Sequence, residues 1–293
     1  LLKLPSFAKI NRTLRVLGKR PDGYHQVATV LQSISLCDEL IFEKREDDQI
    51  NLTCDDPTIP IDDSNLIVKA ALALPRQEGV NVRLKKRVPA KGGLGGGSSN
   101  AAVTLLALNH LWRLDLGNTD LRRIGSGLGA DVPFFLNGGT ALATGTGTEI
   151  SPLTDSEREY LIVVTPNASV FTASAYAALN APSLTTFDSL SILSSSFTEP
   201  FFGDRSQWSL QNDFEGVIFE MEPEIGRAKQ ALLDAGARSA LLAGSGSSVF
   251  GIFTDETARD QALGNLRCEA GWRVFPCHTL SRNEYCQAIS TGA

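Results

Sequence analysis

The chain has 293 residues, 42% of them hydrophobic and 20% charged, and its 27 basic and 33 acidic residues leave a formal charge of −6. This is the balance of an ordinary globular protein, and the length exceeds one typical domain, so two domains around a sizeable core are expected. The basic residues are dispersed apart from Lys85-Lys86-Arg87, which argues against nucleic-acid or membrane partners, since both need concentrated positive charge.

Five cysteines (Cys37, Cys54, Cys268, Cys277, Cys286) form no Cys-x-x-Cys pair. They signal neither a disulfide framework nor a zinc site, and a reducing cytoplasm fits them best. No apolar run approaches the ~18 residues of a membrane span, and the start carries no signal-peptide pattern. Residue 1 is Leu rather than Met, so a leader removed before it stays open.

In chain order, residues 4–17 alternate as a strand that places Phe7, Lys9 and Asn11 on one face. Lys9 and Asn11 there suit either a wet surface or an anion pocket. Arg20-Pro-Asp-Gly-Tyr-His25 is a turn leading into a strand over 27–34. Tyr24 and His25 can stack on and hydrogen-bond a planar heterocycle, or serve the fold alone. A further strand is expected at 39–44, hairpin and loop over 45–63, and a helix from the cap Ser64-Asn65 to about Leu74, stopped by Pro75.

Residues 81–88 alternate as a half-exposed strand. Pro89-Ala-Lys-Gly-Gly-Leu-Gly-Gly-Gly-Ser-Ser-Asn100 follows, and then Ala101, Ala102, Leu105, Leu108, Leu111 and Trp112 recur at helical spacing. Ser98, Ser99 and Asn100 are the capping candidates. Strand, glycine loop and helix N-terminus together suit an anion. Glycines allow close approach to the main chain, and the first-turn amides and helix dipole favour negative charge. The loop is neither a Walker A sequence nor G-x-G-x-x-G.

Asn118-Thr-Asp120 caps a helix ending near Gly129, and Asp131 precedes an apolar segment as an N-cap or a functional carboxylate. Residues 138–150 read as a strand and glycine turn, and Ser151 to Arg158 as a linker. A buried strand (159–165), a short helix (171–179) and a Ser- and Pro-rich covering segment (180–211) come next. Two helices, from 212 and from 223 to Gly236, lead to a strand at 239–243 and the turn Gly244-Ser-Gly-Ser-Ser248. A strand through Phe253, a helix over 257–266 and a closing strand at 272–277 complete the order. That order suggests an α+β sandwich rather than a doubly wound sheet.

These stretches resemble the GHMP kinase superfamily of small-molecule kinases. The carriers are Ala8-Lys-Ile-Asn11, Arg20-Pro-Asp-Gly-Tyr-His25, Gly92 to Asn100, Gly129-Ala-Asp-Val-Pro133 and Gly244-Ser-Gly-Ser-Ser248, in the superfamily's order over essentially the whole chain. The resemblance implies an α+β GHMP kinase fold. Residues 1–154 would form a ribosomal-protein-S5-like, ATP-binding domain, and residues 155–293 a ferredoxin-like domain on the substrate side.

It further implies ATP phosphates on Pro89 and the loop Gly92, Gly93, Leu94, Gly95, Gly96, Gly97, Ser98, Ser99 and Asn100. Ser98 and Ser99 would lie near phosphate or Mg2+. The ion would be carried by the nucleotide, with no protein metal site. Asn65 and Lys86 would lie by the adenosine. The acceptor, a small molecule with a cytidine diphosphate group, would meet Asn11, Tyr24, His25, Phe171, Gly244 and Ser245. Asp131 would be the general base and Lys9 its cationic partner. A cytoplasmic monomer or weak homodimer is expected.

The chain departs from the pattern at Arg12, where an apolar Leu is common, and at Leu31, where some relatives carry a second aromatic. Lys91 within the loop offers the phosphates another cation, or simply faces solvent. Homoserine- or mevalonate-type kinases and a non-catalytic nucleotide-binding protein are the rival readings, and Asp22-Gly-Tyr-His25 and the Lys9–Asp131 pair weigh against them.

Overall fold

The computed structural model describes residues 1–75, 78–184 and 210–290. Most of the covering segment expected at 180–211 therefore lies outside the described residues. Two sheets organise the chain. The larger has seven strands: β1 (Leu2–Lys19), β2 (His25–Lys44), β3 (Ile50–Cys54), β4 (Val80–Lys85), β5 (Thr140–Thr144), β6 (Glu149–Pro152) and β8 (Gln211–Asn212). Its path runs β3-β4-β2-β1-β8, with β5 pairing β2 and β6 pairing β5. The smaller sheet is antiparallel in the order β11-β7-β10-β9, from β7 (Tyr160–Thr165), β9 (Ser239–Leu242), β10 (Val249–Phe253) and β11 (Arg273–His278).

Helices cover these sheets. α1 (Leu66–Leu72), α2 (Gly96–Leu111), α3 (Asn118–Leu128) and the short α4 (Val132–Phe135) belong to the first half. α5 (Thr172–Leu179), α6 (Glu215–Met221), α7 (Pro223–Asp234), α8 (Glu256–Asn265) and α9 (Arg282–Ile289) follow. The order β11-β7-β10-β9, with α5, β8, α6 and α7 lying between β7 and β9 in sequence and α8 between β10 and β11, makes a split βαβ unit, the ferredoxin-like expectation. Ala101, Ala102, Val103, Leu105, Ala107 and Leu108 are all buried, so α2 is the central helix of the first half, apolar on most of its surface.

Three expectations are corrected. The strands expected at 27–34 and 39–44 are one strand, β2. The register of β1 against it jumps from Phe7↔Cys37 to Ala8↔Ile34, so Ser35 and Leu36 are absorbed as a bulge instead of breaking the strand. The hairpin and loop expected over 45–63 hold one strand, β3, which pairs parallel to β4 instead of forming a hairpin. The chain does not close on β11: Ser281 caps α9 through a reciprocal bond pair with Glu284, and Tyr285 and Ile289 enter the core of the larger sheet.

The long strands are shared. Ala8, Ile10 and Ile34 pack with Leu161, Val163, Leu241 and Phe250 in one cluster, while Leu14 joins the apolar core beneath the smaller sheet. Among the described residues no helix is long and apolar enough to cross a membrane.

Candidate active site

β1 delivers two polar side chains into the seam between the sheets. Its main chain is pinned there, with Lys9 N donating to Leu94 O at 3.0 Å and Asn11 N to Ala243 O at 3.0 Å. The Lys9 ammonium donates to Asn11 Oδ1 (2.6 Å) and to Gly93 O (2.8 Å), and lies 3.7 Å from Asp131 Oδ2. Asn11 Nδ2 donates to Thr29 Oγ1, whose hydroxyl donates to Thr13 O, so the amide's orientation is set. Lys9 and Asn11 are both buried, which removes the wet-surface reading of this strand face.

Asp131 stands at the N-terminal boundary of α4 but makes no side-chain cap bond. Its carboxylate is part-exposed and faces the Lys9 ammonium instead.

The glycine loop lies on the other side of Lys9. Gly93 and Gly95 have φ of 79° and 71°, the left-handed region that glycine enters freely. The second glycine turn backs it: Ser248 N donates to Gly92 O at 3.0 Å, and a Cβ on Gly244 would lie 2.8 Å from Gly93 O. α2 begins at Gly96 with Gly95 as its cap, so Ser98, Ser99 and Asn100 lie within the helix and do not cap it. Its first-turn amides have no intrahelical partner.

Two cavities meet at this loop. One, of about 840 Å³, is lined by Lys9, Asn11, His25, Asp131, Tyr176 and Ser245 among others. The other, of about 360 Å³, is bounded by Asn65, Lys86, Pro89 and the glycine segment. Gly93, Gly95 and Ser98 border both, so the loop is the partition between them. A cleft of about 850 Å³ elsewhere, lined by Lys44, His110, Arg113 and Cys286 among others, shares none of these residues.

In the larger cavity the His25 ring packs on Tyr176 with centroids 4.6 Å apart, and Tyr176 meets Phe214 edge-on at 4.8 Å. Burial, aided by the charge of Lys19, holds the His25 imidazole below its ordinary pKa. Burial pushes the Tyr176 phenol up to about 12, with the Asp131 carboxylate adding to it.

Not every anticipated residue reaches a cavity with a free group. Phe171 is 64% exposed, outside the lining of the larger cavity, with Lys91 Nζ 5.3 Å from its ring centroid; Lys91 is thus engaged with an aromatic face. Tyr24 borders the larger cavity and is 67% exposed. Asn65 caps α1, accepting from Ile67 N and donating to Pro60 O. The Lys86 ammonium is bound to Asp38 and Val88 O. Ser99 is fully buried and accepts from Ser6, and Asn100 donates to Ser6 and Asp38. Gly244 serves the packing of the loop, while Ser245 lines the larger cavity.

Sequence reasoning missed Tyr176, Thr29 and Asp38. Tyr176 lies on the helix expected after Phe171, so its place on that helix was readable; Thr29 and Asp38 carry no local signal.

Comparison with known proteins shows the family. Residues 65–139 match the GHMP kinases N terminal domain and residues 202–271 the GHMP kinases C terminal family, which together define a GHMP kinase. The 4-diphosphocytidyl-2-C-methyl-D-erythritol kinase of Syntrophotalea carbinolica is 40% identical over 272 residues, covering 92% of this chain and 95% of that protein. Its namesake from Pseudomonas syringae pv. syringae is 42% identical over 269 residues, 90% of each chain. A crystal structure of 4-(cytidine 5'-diphospho)-2C-methyl-D-erythritol kinase superposes with a TM-score of 0.75 at 32% identity, covering 95% of this chain and 99% of the other. The chain belongs to the 4-diphosphocytidyl-2-C-methyl-D-erythritol kinase family of GHMP kinases.

Proposed function

We propose that the chain transfers the γ-phosphoryl group of ATP to the 2-hydroxyl of the methylerythritol unit of 4-diphosphocytidyl-2-C-methyl-D-erythritol. The products are the 2-phosphate and ADP, in non-mevalonate isoprenoid precursor synthesis. One observation carries the reading: an ammonium and a carboxylate 3.7 Å apart beside a glycine loop that separates a smaller cavity from a larger one.

In this reading the smaller cavity takes the nucleoside of ATP, and the loop amides and Ser98 take its phosphates. The larger cavity takes the acceptor. Asp131 receives the proton of the attacking hydroxyl, while Lys9, 3.7 Å from that carboxylate, offsets charge at the transferred group. Phosphoryl transfer is commonly loose, so positioning and fixed dipoles supply most of the acceleration. His25, already stacked on Tyr176, offers the cytosine ring nitrogens in the neutral form; Tyr24 and Asn11 complete the acceptor's contacts.

Among the described residues no group of three or more His, Cys, Asp and Glu forms a metal cage. Ser98 and Asp131 border the same cavity, a donor set that fits Mg2+ held mainly by the triphosphate and water. When bound, the ion would neutralise phosphate charge. A division near residues 154/155, a cytoplasmic setting and a monomer or weak homodimer complete the proposal.

An assay of ADP release tests it. Turnover should require the cytidylylated acceptor; equal turnover of bare methylerythritol, homoserine or mevalonate would overturn the substrate assignment.

A further inference from the structure

A segment with five glycines in six positions has little conformational preference of its own, and ordering it costs more entropy than ordering any other residue type. Its shape must be imposed from outside. The middle is held by Lys9 N on Leu94 O and by Ser248 N on Gly92 O. The two ends converge on a single side chain.

Asp38, on β2, is completely buried. Its Oδ1 accepts from Arg87 N at 2.7 Å and Val88 N at 2.8 Å, at the entry to the loop. Its Oδ2 accepts from Asn100 Nδ2 at 3.1 Å, in the first turns of α2, and from Lys86 Nζ at 2.6 Å. Asn100 also donates to Ser6, which donates to Ser99, so β1 is drawn into the same knot. A Cβ on Gly96 would lie 3.2 Å from Lys86 Nζ, so the ammonium sits against the start of the helix.

A buried ion pair is a poor source of stability, because desolvation offsets most of the attraction. It does supply direction: the carboxylate's lone pairs are taken by donors from two segments, residues 86–88 before the loop and Asn100 after it.

We infer that Asp38 is a positioning residue for phosphoryl transfer, clamping both ends of the glycine loop so that its amides hold the geometry that ATP binds. The inference rests on the reading that this loop holds the triphosphate. Asp38 touches neither substrate; it acts through Arg87, Val88 and Asn100.

The test compares variants made in a Lys86→Met enzyme, so that no unpaired ammonium is left buried and any direct effect of Lys86 cancels. Against that reference, adding Asp38→Ala should raise KM for ATP at least tenfold and leave KM for the cytidylylated acceptor within twofold. Adding Asp38→Asn instead keeps an acceptor for Arg87 N and Val88 N but turns an amide donor toward Asn100 Nδ2, and should raise KM for ATP about three- to fivefold, less than the alanine variant does. A merely structural aspartate would lower the melting temperature in both variants and leave KM for ATP of the folded enzyme where it was; that result overturns the inference, as does an equal rise in both KM values. Should the alanine enzyme not fold, Asn100→Ala in the native chain cuts one arm of the clamp alone. A threefold or greater rise in KM for ATP supports the clamp, and an unchanged value overturns it. Saturable ATP use by the native chain checks the underlying reading: its absence sinks both, whereas native saturation with unmoved variants sinks the clamp alone.

Discussion

Gly246 and Gly93 meet main chain to main chain: a Cβ on Gly246 would stand 2.3 Å from the Gly93 nitrogen and 2.5 Å from the Gly92 carbonyl carbon. Neither neighbour is a side-chain tip that can swing aside. A methyl group there has to part the two glycine turns, and the loop from Gly92 to Gly97 moves with them. Gly246→Ala should cost about 1–3 kcal/mol of stability, the usual range for overpacking. A loop displaced by about 1 Å should also lower kcat/KM for ATP by about 10²-fold. Gly264→Ala is the control, since a Cβ there meets nothing within 4 Å; within α8 it should raise stability slightly and leave kinetics unchanged. Denaturant melts and steady-state rates on the two variants check the pair.

Asp131→Asn should lower kcat by about 10²–10⁴-fold, the span of general-base catalysis. KM for ATP should stay within about threefold and the melting temperature nearly unchanged, because the carboxylate is part-exposed and makes no cap bond. Isothermal titration with a non-hydrolysable ATP analogue, beside turnover, separates binding from chemistry. A variant that keeps a tenth of native turnover removes the base from the mechanism.

His25→Ala should raise KM for the cytidylylated acceptor at least tenfold and KM for ATP by less than twofold. The pH dependence has a definite sign. Burial first, then the charge of Lys19, lowers the folded-state pKa below the ordinary 6.5. The neutral imidazole therefore makes its full contribution above that ordinary value, and loses it only as pH falls through the lowered folded value. Acceptor KM should be flat from neutrality upward and climb in acid, and His25→Gln should flatten the acid limb.

Tyr285 ties the last helix to the first half. Its hydroxyl donates to Phe135 O at 2.6 Å, and its ring lies 5.5 Å from that of Phe7. Tyr285→Phe leaves a buried carbonyl without its donor and should cost about 1–3 kcal/mol, while Tyr285→Ala opens a cavity and should cost about 3–5 kcal/mol. Chemical denaturation of both variants gives the ratio. Equal losses would mean that the hydroxyl, not the ring, carries the contact.

Much of this was readable along the chain, because it is written in local chemistry. The glycine segment, the helix after it, the capping Asn65, the Gly244 turn and the alternation that puts Lys9 beside Asn11 all depend on residues a few positions apart. The rest depends on distance in sequence. Asp38 acquires its part only when residues 87, 88 and 100 fold against it, and nothing near it marks an acceptor for four donors. Ser99 and Asn100 look like caps because they directly precede an apolar helix; tertiary partners on β1 and β2 took their side chains, and Gly95 took the cap. β2 looked like two strands because a bulge needs a partner strand to absorb it. Phe171 and Tyr176 share one helical stretch, and only packing against His25 and Phe214 decides which of the two faces inward.

β1 contributes Ala8 and Ile10 to the seam between the sheets and, a few residues on, Leu14 to the core beneath the smaller one. A strand woven through both packings is a tie rod, not a hinge pin. Swinging the halves apart would tear apolar surface from both at once, so the cavities on either flank of the loop stand open without such a swing. Melting, for the same reason, should sweep through the described halves as one cooperative event, and a fragment cut at residue 154 would carry Leu14 with no core to receive it.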